Sequence, residues 1–150
     1  MPLQTTYSQF QPAGVPGMSA NMEEWNGITR TATATIAFGA PAQRSGDRGC
    51  SPLTTGEFLG IAIMHHVITS TAGDSYGQYD NVPLADEGVW FGAADGAITA
   101  GAALNWNSTT GRWTTAAASG AIYAVPGSEA DTTASGAGAI FKVRLRRVPS

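Results

Sequence analysis

The sequence predicts an all-β fold, a small jelly-roll-like sandwich or barrel with an extended N-terminal arm, and three observations carry that prediction. Short apolar or alternating runs recur at about ten-residue spacing, Gly and Pro punctuate the gaps, and no apolar 3.6-residue period persists for three turns. At 150 residues the chain is one domain's worth, long enough to bury roughly two thirds of its unfolded surface. The expected division is an arm over residues 1–18 and a single β domain over 19–150.

From Met1 to Met18, Pro2, Pro12, Pro16, Gly14 and Gly17 exclude regular structure. Two readings stand side by side, a disordered terminus and a docking arm whose apolar anchors Tyr7, Phe10 and Val15 lie in a neighbour's groove. Ile28 to Phe38 then alternates strictly, with Thr29, Thr31, Thr33 and Thr35 on one face, as a strand does. Gly39 and Pro41 end it. Gln43 to Pro52, with two glycines, a proline and three charges, reads as a loop; no Lys-Ser/Thr follows, so it is a solvated turn and not a phosphate cradle.

The densest apolar stretch runs from Phe58 to Phe91. Phe58 to Ile63 is a nearly unbroken apolar run, and the chain alternates from His65 to Ser70, so a core strand that becomes half exposed is expected there. Val89 to Phe91 reads as a second short strand before the Asp95-Gly96 turn, leaving Tyr76 to Gly88 as a polar loop and a contact candidate. Ala97 to Trp106 reads as a strand crossed by Gly101. The turn Asn107–Gly111 should bring Trp106 and Trp113 together as a cross-strand aromatic pair. Gly120 to Val125 is a further short strand stopped by Pro126-Gly127, Ala116 to Ala124 has room for one helical turn, and Ser128 to Gly138 is a flexible loop. In the last strand, Ala139 to Val148, Ile140, Lys142, Arg144 and Arg146 face one way and Phe141, Val143, Leu145 and Arg147 the other. The like charges call for an exposed edge or a partner's acidic surface.

Composition narrows the function. Charged residues make up 13% of the chain against about 25% in an average globular protein, so contact with another protein would explain how so little charge suffices. A net charge of −3 argues against a nucleic-acid partner, and no apolar window is long enough for a membrane span. The first residues lack the basic and apolar regions of an export signal. Cys50 is the one cysteine, which excludes an internal disulfide and a Cys-based zinc site. His65 and His66 would point to opposite faces of a strand and cannot share a metal from it. Asp80, Asp86, Glu87 and Asp95 lack the calcium-loop pattern, and there is no G-x-S-x-G elbow. No cofactor and no catalytic residue is expected.

The order of segments resembles the structural cement, or head decoration, proteins of tailed bacteriophages: AGVPGM in the arm, the alternating strand to AFGAP, GEFLGIAI, YGQYDNVPLADEGVWF, AITAGAAL and a terminal KVRL. That resemblance implies a domain that binds the outside of an icosahedral head as a homodimer or homotrimer, assembles in the host cytoplasm and clamps major capsid protein subunits together. Candidate partner contacts are Tyr7, Phe10 and Val15 on the arm, Tyr76 and Tyr79 in the polar loop, and Lys142, Arg144 and Arg146 on the basic strand. The alternative is a carbohydrate-binding or adhesin β module on a virion, with Trp25, Trp90, Trp106 and Trp113 as stacking platforms.

Overall fold

The structure is a computed structural model that describes residues 14–65 and 74–147. Within them the chain forms β1 (Asn26–Ala32), β2 (Ile36–Ala37), β3 (Pro41–Ser45), β4 (Gly49–Pro52), β5 (Phe58–Ala62), β6 (Ser75–Tyr76), β7 (Asn81–Ala93), β8 (Ala103–Asn107), β9 (Arg112–Thr114), β10 (Ile122–Ala130) and β11 (Ile140–Leu145). No helix occurs among the described residues.

One strand organises the rest. β7 is 13 residues long, and its N-terminal half pairs on one edge with β1 and on the other with β5, so that Ala85 lies between Gly27 and Ile61. Because β1 also pairs with β4, β4 with β3 and β3 with β5, the five strands β1-β4-β3-β5-β7 close on themselves. The C-terminal half of β7 pairs with β11, from Leu145 opposite Gly88 to Ile140 opposite Ala93. From β11 the sheet continues through β10 and β8 to β9, whose Trp113 carbonyl accepts the Asp95 N–H at 2.7 Å just beyond β7. Two rolled halves thus share one strand, and closure removes most of the unpaired edges that an open sheet would expose. Trp90, Trp113, Tyr76, Leu53, Ile61, Leu84 and Leu145 are among the side chains of one continuous core that runs through both halves.

The all-β prediction holds, and several elements fall where the sequence put them. Phe58–Ala62 is a strand; β11 buries Phe141, Val143 and Leu145 and leaves Ile140, Lys142 and Arg144 half-buried; and Trp106 pairs with Trp113 in a hairpin, ring centroids 5.3 Å apart and edge to face.

Elsewhere the structure corrects the sequence reading. The alternating run Ile28–Phe38 is not one strand. It leaves the sheet at Thr33, whose N–H and hydroxyl both reach the Cys50 carbonyl, and Ile36–Ala37 then pairs separately with Ser75–Tyr76. Gln43–Pro52 is not a loop but most of the β3–β4 hairpin, with only Gly46–Arg48 outside the ladder and Arg44 opposite Cys50. Its polar composition belongs to one exposed face and a tight turn. Most of the expected polar loop Tyr76–Gly88 is the first half of β7, where Val82, Leu84 and Ala85 are buried. Pro126-Gly127 does not stop β10; the pairing with β8 skips from Ala124 to Glu129, and the Ser128 hydroxyl lies 2.7 Å from the Val125 carbonyl, a bulge that absorbs the breakers. Ser128–Ala130 is accordingly strand and not flexible loop. The strand expected over Ala97–Trp106 begins only at Ala103, and β11 is no edge strand, since β7 and β10 flank it. The alternation expected from His66 to Ser70, and Val148, lie outside the described residues.

Candidate interaction surface

The arm residues Tyr7 and Phe10 lie outside the described residues. From Gly17 onward the chain is tied to the body. Gly17 donates to the Phe91 carbonyl at 3.0 Å, Phe91 donates to Met18 at 2.9 Å, Ala20 donates to Val89 at 2.9 Å, and Met64 donates to Gly17 at 2.9 Å. Residues 17–20 therefore extend the sheet along the β7 edge opposite β11. Val15, Met18 and Met22 remain exposed along this segment, and it ends at Trp25.

Trp25 is 51% exposed, yet its position is fixed on three sides. Its ring meets buried Trp90 edge to face, centroids 5.5 Å apart. Below it lie two glycines of the β1–β7 pair. A Cβ on Gly88 would come within 2.8 Å of the Trp25 Cβ, and one on Gly27 within 2.8 Å of its Cζ3, so the indole seats where only bare backbone leaves room. Sequence reasoning grouped Trp25 with the other tryptophans as sugar platforms. Trp90, Trp106 and Trp113 are buried, which leaves Trp25 as the exposed one.

Carboxylates stand close to Trp25 in sequence and in strand register. Glu23 and Glu24 precede it, and Asp86 and Glu87 lie across the ladder, where Asn26 is opposite Glu87 and donates to Asp86 at 3.3 Å. Arg144 binds Glu23 at 2.9 Å and also faces Asp131 at 3.7 Å and Glu129 at 4.0 Å; Arg146 binds Glu129 at 2.9 Å, and Arg147 binds Asp86 at 3.1 Å. The Glu23 hydrogen bond, with its charge and those of Asp131 and Glu129, raises the Arg144 pKa. Two members of the basic strand face expected to meet an acidic partner, Arg144 and Arg146, pair with the chain's own carboxylates at long sequence separation, and the third, Lys142, is half-buried.

Of the remaining candidates, Tyr76 is fully buried, its hydroxyl donating to the Ile63 carbonyl and its pKa pushed up to about 12 by burial and, second, by Asp80. It is a core residue, not a surface contact. Tyr79 is the reverse. It is 77% exposed at the third position of the turn Gly77–Asp80, with φ of 72°, a left-handed backbone conformation that bulky residues avoid. Asp80 holds the turn by accepting the Gly77 N–H at 2.8 Å.

Cys50 is buried, and burial raises its thiol pKa, with Arg30 opposing in part. Asp95 accepts from Asn107 at 2.9 Å, so this acid, like Asp80 and Asp86, is engaged by a protein donor. Among the described residues no three metal-ligating side chains converge. His65 follows β5 on the surface, and His66 lies outside the described residues. An open groove of about 440 Å³ lies where the Thr54–Phe58 segment meets Ser119–Pro126, with Phe58, Ile122 and Tyr123 along it and no charged lining residue.

Two solved structures share this fold. A chain in the capsid of Myoviridae phage XM1 superposes with a TM-score of 0.74 at 14% identity, covering 98% of this chain and 99% of that one. The N base of the head fiber gp8.5 of bacteriophage phi29 gives 0.50 at 14% identity, covering 85% and 98%. No curated protein matches the sequence. The family described as structural cement protein (E217 gp24/Pam3 gp6) matches residues 3–146, nearly the whole chain, and the protein belongs to that phage structural cement family.

Proposed function

We propose that this capsid cement protein works as a rigid clip, in which the double-rolled body holds two exposed aromatic contacts, Trp25 and Tyr79, against major capsid protein subunits. The coarse role follows from the family: a non-enzymatic structural component of the virion that decorates and stabilises the capsid. The finer reading rests chiefly on Trp25, a large apolar side chain left half exposed yet packed against Trp90 and two glycines, as a residue is when its partner lies outside the chain. Self-association as a dimer or trimer belongs to the same reading, because several copies held together would bind a symmetric shell with avidity. The arm anchors Tyr7 and Phe10, with Val15, would add contacts beyond the body.

Co-sedimentation with purified or recombinantly assembled shells tests this. Added protein should pellet with shells at a fixed stoichiometry and raise the temperature at which they release DNA or disassemble. Failure to bind saturably would overturn the reading. Mass photometry of the free protein reads its oligomeric state.

A further inference from the structure

We infer that Trp25 and the carboxylates around it form a receptor for a basic side chain, an arginine or lysine beside an apolar residue, presented by a loop of the shell protein. The inference rests on the capsid-binding reading and names the chemistry of its contact. Three observations carry it. Trp25 is already seated over Gly27 and Gly88 and against Trp90 in the free chain, so little freedom is lost when its open face is covered. Met22 and Met18, exposed on the same N-terminal segment, supply apolar surface for a hydrophobic neighbour of the cation.

The local charge is unbalanced towards acid. Within two residues of Trp25 stand Glu23 and Glu24, and Glu87 is opposite Asn26 in the ladder with Asp86 beside it; against these stand Arg144 and Arg147, each already bonded to one carboxylate. Arg144 is shared further with Glu129 and Asp131, and Arg146 is bonded to Glu129, so these arginines are spoken for, and Lys142 is the remaining base on that face of β11. Among the described residues neither Glu24 nor Glu87 joins these ion pairs, and they are the carboxylates assigned to the incoming charge. A cation over an indole flanked by carboxylates gains from ring and acids together, and arginine can do so while stacking flat. A sugar would gain from the ring but not from the charges.

Two variants and two readouts test the assignment on the full chain. Trp25→Ala and the double variant Glu24→Lys/Glu87→Lys should each weaken shell binding by about tenfold or more, with thermal midpoints confirming a folded protein. Trp25→Phe should retain most of the affinity. Raising the salt concentration should weaken the wild type more than the charge-reversed variant. In the free protein, caesium should quench tryptophan fluorescence more than iodide, because the one exposed indole sits among carboxylates.

Wild-type binding that neither variant alters would overturn the receptor while leaving the capsid role intact, whereas a wild type that ignores shells sinks both. A tryptophan signal deaf to caesium would mean that the ring is covered in the free chain and would also overturn the proposal. So would variants that change the oligomeric state and not shell binding, since the occupant would then be a second copy.

Discussion

At the residue scale, burial divides side chains that look alike in sequence. Tyr76 and Tyr79 are three positions apart, and one anchors the core while the other stands on a strained turn. The raised folded pKa of Tyr76 means that its stabilising contribution is complete below the unfolded value near 10 and is lost as pH rises towards about 12. Spectrophotometric titration should therefore show one tyrosine ionising late, together with loss of structure, and Tyr76→Phe should remove that component. For Tyr79, replacing a left-handed tyrosine with glycine relieves about 1–2 kcal/mol of strain against ~0.5–1 kcal/mol of extra unfolded-state entropy. Tyr79→Gly should thus leave stability equal or slightly higher in denaturant melts, and weaken shell binding if the side chain is a contact. Trp90, 2% exposed, should cost ~3–5 kcal/mol as Trp90→Ala. A loss under 1 kcal/mol would place the ring outside the core.

At the element scale, the close approaches are made by glycine. A Cβ on Gly92 would lie 2.7 Å from Trp113 Cδ1 and 3.0 Å from Val143 Cγ2, so Gly92→Ala forces β9 away from β7 and should cost ~1–3 kcal/mol. Midpoints of urea melts at unchanged slope would measure it. The N-terminal element divides at a definite place. Removing residues 1–13 spares the hydrogen bonds of Gly17, Met18 and Ala20, whereas removing 1–18 strips those of Gly17 and Met18 from β7 and Met64. The longer deletion should lower the melting temperature measurably more than the shorter one; equal melting temperatures would mean that this edge contributes nothing to the fold.

At the scale of the whole molecule, a shared strand makes two halves one unit. Both rolls need β7 and one core passes through them, so unfolding should be a single transition, with far-ultraviolet dichroism and tryptophan fluorescence melting together. Separated transitions would mean that the halves are independent. A body joined through one shared strand suits a protein whose role is to stabilise a capsid.

How much of this was legible follows from how far each signal reaches. Alternation in β11, the Phe58 strand and the Trp106–Trp113 hairpin depend on neighbours a few residues apart, and periodicity and turn chemistry report them. The order of short segments was enough to recognise the family. The strand content of Gln43–Pro52 and Asn81–Gly88 stayed hidden because partners far along the chain, such as Asn26–Thr31 for β7, satisfy a polar backbone stretch that looks like a loop. The sequence determined by itself an all-β chain with little charge, lone Cys50 and one basic strand, because composition and period are local properties. Only the tertiary structure decided that Arg144 is neutralised by Glu23, that Tyr76 is core and that Trp25 is left open, because ion pairing and burial depend on which distant residues the sheet register brings together.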